Sequence, residues 1–257
     1  MHALLGIDLG TTGIKAALFA AEDGHVLSSS FVEYPLLHPQ PGWAEQHPAD
    51  WWQATVAAIR TCLAQAALRD VKPADVQGIG LSGQMRGVVL LDEENQVLRP
   101  CIIWADQRSE AQCRWMTERA GAERLVTYVS NPALPGFSAP KALWVCDNEP
   151  EIFARTRTII LPKDYIRYRL TGVLAMEISD AAGTCLLNVK EGPAFGAALL
   201  AGVASGAYHS IQQACDSMVR LVEHTKPRPE IEQVYARRYE TYRALYPALK
   251  PILSSPS

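Results

Sequence analysis

The chain has 257 residues, 48% of them hydrophobic and 20% charged, an ordinary composition for a soluble globular protein with room for one large domain or two medium ones. Its 24 Lys and Arg against 27 Asp and Glu leave a net charge of −3, which gives no electrostatic reason to expect a nucleic acid or an acidic membrane as partner. A small anionic ligand would need a local site.

The cysteines, Cys62, Cys101, Cys113, Cys146, Cys185 and Cys215, form no CxxC pair and no cluster with histidine, which argues against a zinc site or a disulfide framework and fits a reducing cytoplasm. The opening MHALLGIDLG lacks a basic n-region and meets a charge at Asp8, unlike a signal or transit peptide. The longest stretch without a charged residue or histidine, 192–208, is too short and too rich in Ala and Gly to span a membrane, which takes ~20 predominantly apolar residues.

In chain order, apolar runs predict strands over 3–8, 14–19 and 26–34, with a turn at 10–13 and the hairpin dipeptide Asp23-Gly24 between them. That is an antiparallel meander. After the loop HPQPGWAEQHP, the spacing of Trp51, Thr55, Ile59, Leu63 and Ala66 predicts a helix over 50–68, followed by strands over 76–81 and 88–91. Helices are expected at 107–120 and 163–170, the latter entered from a strand at 157–161. From residue 183, GTCLLNVK reads as a strand that passes into a small-residue helix beginning EGPAFGAALLAG. A meander followed by alternating strands and helices predicts an α/β fold, a mixed sheet flanked by helices.

The chemistry sits first in GIDLGTTGIK. A carboxylate at the end of a buried strand, followed by Gly10, Thr11, Thr12 and Gly13, sets several backbone N–H groups and two hydroxyls beside one negative charge. Glycines admit phosphate oxygens close to the backbone, amides form an anion-binding concavity, and Asp8 can hold Mg²⁺ directly or through water. A tight hairpin in which Asp8 only bonds its own turn would carry the same residues. Lys15 could reach a phosphate from the second strand, but a strand lysine facing solvent is commoner, and it stays outside the candidate site.

GIDLGTTGIK, PGWAEQHPADWW, GIGLSGQMRG, IIWADQR, PGFSAPKALWV, LPKDYIRYRLTG and SDAAGT occur in an order and at spacings that resemble the FGGY carbohydrate kinases, and among them the xylulokinases. The likeness covers 1–190. It implies an actin-like, ribonuclease H-like fold of two domains with ATP and sugar meeting in the cleft, and phosphorylation of a sugar, D-xylulose to D-xylulose 5-phosphate, with ATP and Mg²⁺ as cofactors. By the same resemblance Asp8, Gly10, Thr11 and Thr12 hold the phosphates and metal, while Gln84, Met85, Arg86, Trp104 and Asp106 border the sugar. Taken alone, Met85 and Trp104 fit a core as well as a ligand. Position 86 departs from the pattern: xylulokinases usually show His in Q-M-H-G, and this chain has Arg, a permanent cation with a longer fork of donors.

Residues 191–257 resemble the far end of the family's second domain. The Gly-Asp-Asn and Gly-rich segments that carry the base and the adenosine site in the family have no counterpart, for neither G-D-N nor G-G-G occurs in the sequence. The chain therefore reads as 1–190, an N-terminal sugar- and phosphate-binding domain, joined near Lys190 and Glu191 to a second-domain remnant, 191–257, through which chains could self-associate. The alternative to a working kinase is an inactive sugar- or partner-binding remnant. Asp164 and Asp180 have a structural reading, as helix caps.

Overall fold

The computed structural model describes residues 2–129 and 131–185, with His209 and Gln213 beyond them. The expected helix from residue 192, and any association through 191–257, lie outside the described residues.

Strands β1 (Ala3–Leu9), β2 (Gly13–Ala20) and β3 (Val26–Glu33) form the expected meander, and β5 (Val76–Gly83) adds to β1 in parallel, giving the order β3-β2-β1-β5. The sheet is mixed, as the sequence predicts. Alternation puts Ala3, Leu5, Ile7 and Leu9 of β1 with Ile14, Ala16, Leu18 and Ala20 of β2 on one buried face.

That face is covered by α1 (Pro48–Ala67), which begins with proline at its first position, where the missing N–H costs nothing, and carries Asp50 in its first turn. The helix buries Trp51, Ala54, Thr55, Ala58, Cys62 and Ala66. Ile59 and Leu63, expected in the stripe, lie partly buried at its flank, because Ala58 and Cys62 bring the helix backbone close enough for Ser28 of β3 to bond the Cys62 carbonyl at 2.8 Å. The described cysteines are all free thiols.

Two short pairs complete the strands. β4 (Glu45–Gln46) runs antiparallel to β7 (Cys101–Ile102), and β6 (Val89–Leu91) runs antiparallel to β8 (Thr158–Ile160). Between them lie α2 (Glu110–Ala120), α3 (Ala122–Val129), α4 (Ser138–Asn148) and α5 (Pro150–Arg155), then α6 (Pro162–Thr171) and α7 (Ile178–Ala181). The strand expected from residue 183 does not start there: Gly183 and Thr184 belong to a single 3-10 turn, and Cys185 is left-handed with φ 60°.

A buried chain of charges pins this part together. Glu45 Oε1 accepts from Arg99 Nη2 at 2.5 Å and lies 2.7 Å from Arg108 Nη1 as an ion pair, Arg108 Nη2 donates to Asp106 Oδ2 at 2.8 Å, and Arg99 Nε lies 2.8 Å from Glu149. The Arg108 guanidinium sits 3.7 Å over Trp43 and 4.8 Å from Trp144, rings that themselves meet edge to face. Removing one partner of such a set strands the others in a dry interior. Glu45→Gln should therefore cost about 3–5 kcal/mol in urea unfolding, and a loss below about 1 kcal/mol would show that the two arginines find other partners.

Asp164 is buried in the first turn of α6, yet it does not cap that helix. Its Oδ1 accepts the Glu177 N–H at 3.1 Å, and its Oδ2 has no partner among the described residues. Burial pushes its pKa up from 3.8 to about 6. Folding thus favours the protonated acid, a contribution complete below pH 3.8 and lost as pH rises through about 6. Asp164→Asn keeps the acceptor and sheds the charge, so it should raise stability at pH 7.5 by something on the order of 1–3 kcal/mol and leave it little changed at pH 4. Equal effects at both pH values would count against this reading.

Candidate functional site

The turn between β1 and β2 is held from behind by its carbonyls. The Gly10 N–H donates to Gly13 O at 3.0 Å. Gly10 O accepts from the Tyr34 phenol and from Gln84 Nε2 at 3.4 Å, Thr11 O from Gln46 Nε2 at 2.7 Å, and Thr12 O from the Tyr34 N–H at 3.4 Å. Burial, helped by the nearby Asp8 charge, holds the Tyr34 phenol well above its ordinary range, so it stays a donor. With every carbonyl turned inward, the amides of Thr11 and Thr12 donate to no described group and are the turn's free donors. Gly13 is required by close approach, since a Cβ there would stand 2.5 Å from Phe31 Cζ and 2.7 Å from Val32 O.

Asp8 lies on the face of β1 away from the core and is exposed. In register it stands opposite Lys15 of β2 and Ser82 of β5, and these three line a cleft of about 480 Å³ with Gly6, Ala17 and Gly80. A lone carboxylate of this kind suits Mg²⁺, which keeps several waters and leans on substrate phosphates. Among the described residues no three His, Cys, Asp or Glu side chains are grouped to hold a metal by themselves.

Parallel pairing of β1 and β5 brings the second set of candidates to the same end of the sheet. The Gln84 N–H donates to Leu9 O at 2.7 Å, and its side chain bonds Gln46 Oε1 at 2.8 Å. Met85 follows, 44% exposed, so it is no core residue. Trp104 is 48% exposed, with its indole N–H on Thr11 Oγ1 at 3.0 Å, a link between the expected sugar and phosphate residues.

Two candidates are placed differently. Asp106 is fully buried, and its carboxylate accepts from the Ala44 N–H at 2.6 Å, the Arg108 N–H at 2.9 Å and the Arg108 guanidinium. It holds the loop that carries Trp104. Arg86 has a left-handed backbone, φ 64°, and its guanidinium stacks 4.4 Å over Phe137, while a Cβ on Gly183 would meet Arg86 Cγ at 2.8 Å. Its N–H donates to Asp180 Oδ1 at 3.2 Å and its carbonyl accepts from Lys141 Nζ at 2.9 Å.

The groups around Arg86 are shifted by burial. Desolvation pushes Lys141 down to about 8 and raises Asp180, the latter partly offset by Lys163. Lys163 is held above its ordinary value: burial opposes its charge, but the Glu177 bond and Asp180 outweigh it. Sequence reasoning weighed Lys15 and left it out of the site, and did not single out Ser82, Gln46, Tyr34 or Lys141. Strand alternation could have paired Lys15 with Asp8, whereas the others act across the fold and leave no local signal.

Residues 3–202 match the N-terminal domain of the FGGY family of carbohydrate kinases. A xylulose kinase of Bacillus subtilis (strain 168) is 44% identical over 191 residues, 74% of this chain and 37% of that protein. Among solved structures, a xyloylose kinase from Brucella ovis is 44% identical with a TM-score of 0.64, over 72% of this chain and 38% of that one. A xylulose kinase from Rhodospirillum rubrum, 28% identical, reaches a TM-score of 0.69 over 73% and 38%. The chain thus spans little more than a third of the length of the relatives it matches, and its described fold is the N-terminal part of their actin-like architecture. On the strength of both motif geometry and similarity, it belongs to the FGGY family of carbohydrate kinases.

Proposed function

We propose that residues 1–190 form the sugar- and phosphate-binding domain of an ATP-dependent sugar kinase acting in the cytoplasm, with D-xylulose as its preferred sugar, and that 191–257 are what remains of a second domain. The observation that carries this reading is the 10–13 turn, whose carbonyls are all bonded inward and whose Thr11 and Thr12 amides are left for an anion beside Asp8. The names of the relatives support xylulose as the sugar.

In this reading the Thr11 and Thr12 amides take the terminal phosphates, and Asp8 would hold a magnesium ion, which would supply charge neutralisation at those phosphates. Gln84, Met85, Arg86 and Trp104 orient the sugar so that one hydroxyl lies in line with the γ-phosphate. The Trp104–Thr11 bond sets the distance between the two subsites. By the family resemblance the general base belongs to the second domain, and on this reading transfer by this chain is slow. General-base assistance is worth roughly 10²–10⁴-fold, and loss of the adenosine site adds to that.

Asp8→Ala should weaken Mg²⁺-nucleotide binding at least about tenfold by calorimetry, and should scarcely move the melting temperature because the side chain is exposed. Equal affinity in both proteins removes the turn from the site. Coupled ADP release with D-xylulose should show trace turnover only. Turnover in the ~1–100 s⁻¹ range usual for kinases, lost on Asp8→Ala, would mean that a carboxylate within this chain serves as base.

Arg86→His should change sugar preference or affinity with nucleotide binding intact. A sugar panel bound alike by both proteins would take Arg86 out of the pocket.

A further inference from the structure

Lys141 is buried completely in the first turn of α4, and among the described residues no carboxylate lies within ion-pair distance of it. Burying an ammonium is costly unless its donors are used. Here they go to two carbonyls, Arg86 O at 2.9 Å and Gly136 O at 2.6 Å. These belong to different loops. The first follows β5 and carries Gln84, Met85 and Arg86; the second precedes α4 and abuts the Trp104 backbone, since a Cβ on Gly136 would stand 3.3 Å from Trp104 O.

The Arg86 peptide is gripped from its other end as well. Its N–H donates to Asp180, a buried carboxylate that Lys163 approaches at 3.4 Å. A non-glycine residue in the left-handed region is unfavourable by itself and persists where its surroundings over-determine it. At Arg86 the determinants are a cation on the carbonyl and an anion on the amide. Gly87 then packs tightly, with Pro162 Cγ 2.5 Å from where its Cβ would be.

We propose that Lys141 is a positioning residue for ligand recognition, its buried ammonium locking the Arg86 turn and tying it to the loop beside Trp104 so that two walls of the sugar pocket keep one spacing. This rests on the reading of Gln84–Arg86 and Trp104 as that pocket. Lys141 touches neither sugar nor nucleotide. It acts through the two carbonyls.

Lys141→Met keeps the length of the side chain and removes its donors, and Lys141→Gln can reach at most one of the two carbonyls. By calorimetry with D-xylulose and with Mg²⁺-ADP, the Met variant should lose ~10–100-fold in sugar affinity with nucleotide affinity within about twofold, and the Gln variant should fall between it and wild type. Amide exchange across 84–88 should quicken in the same order.

Unchanged sugar affinity in the Met variant overturns the proposal, as does a loss of sugar and nucleotide affinity together with the melting temperature, which marks a role in the fold alone. If the Met variant does not fold, the Gln variant is judged by the same two outcomes. Wild-type protein that binds no sugar overturns the pocket reading, and the recognition role with it. That failure is told apart from failure of the clamp because amide exchange at 84–88 does not depend on ligand.

Discussion

The bond set on which the rest depends is the buried charge chain from Asp106 through Arg108 and Glu45 to Arg99, with Trp43 and Trp144, themselves edge to face, packed against the Arg108 guanidinium. Such a chain contributes little net stability compared with an apolar core, because each ion gave up water to enter. Its contribution is geometric. An arginine fork accepts few arrangements, and here two forks share one carboxylate oxygen, so β4, the loop after β7 and the junction of α4 with α5 meet in one way. Asp106 also binds the Ala44 amide, which leaves the residues between Ile103 and Asp106 a single path. Trp104 is thereby held half out of the protein with its N–H on Thr11.

The same chain reaches the phosphate turn by another route. β4 ends in Gln46, one side chain that joins Trp51 of the central helix, Gln84 after β5 and the Thr11 carbonyl. A displaced β4 would release the turn's carbonyl. It would also turn a donor-rich loop into one that satisfies itself, because a free carbonyl and a free amide in so short a turn compete for each other. As proposed, the anion site is therefore made as much by the side chains that occupy the turn's carbonyls as by the Gly and Thr residues of the turn itself.

This explains how far the sequence was legible. β1, β2, β3, α1 and β5 follow from period and turn residues because each buries one face against one partner. Asp8 and the 10–13 turn are legible for the same reason, being local. α3, α4 and α5 were not assigned: they are short, and Pro140 in the first turn of α4 reads as a break although a proline there is harmless. The paired strands β4 and β7 are two residues each and exist only through tertiary contact. Asp106 sits in IIWADQR, one of the motifs that carry the family resemblance, yet its carboxylate is spent within the protein. Arg86 is legible as a change of charge, but its stacking on Phe137 depends on residues about fifty and a hundred positions further along the chain.

What remains at the surface sets what this part of the molecule can do. Asp8, Thr12, Met85 and Trp104 are all exposed. On the proposed reading binding tolerates that: amide donors, a carboxylate able to hold a metal and a stacking indole suit an anionic ligand and a polyol in water at moderate affinity. Transfer of a phosphoryl group does not. Charge stabilisation falls with rising dielectric, and a γ-phosphate facing bulk water has a competing nucleophile at high concentration on every open side. On the proposed reading the Thr11 and Thr12 amides, left available because the turn's carbonyls are all turned inward, supply one wall of a site, and the exclusion of water, like the general base, falls to groups that close over it from the other side.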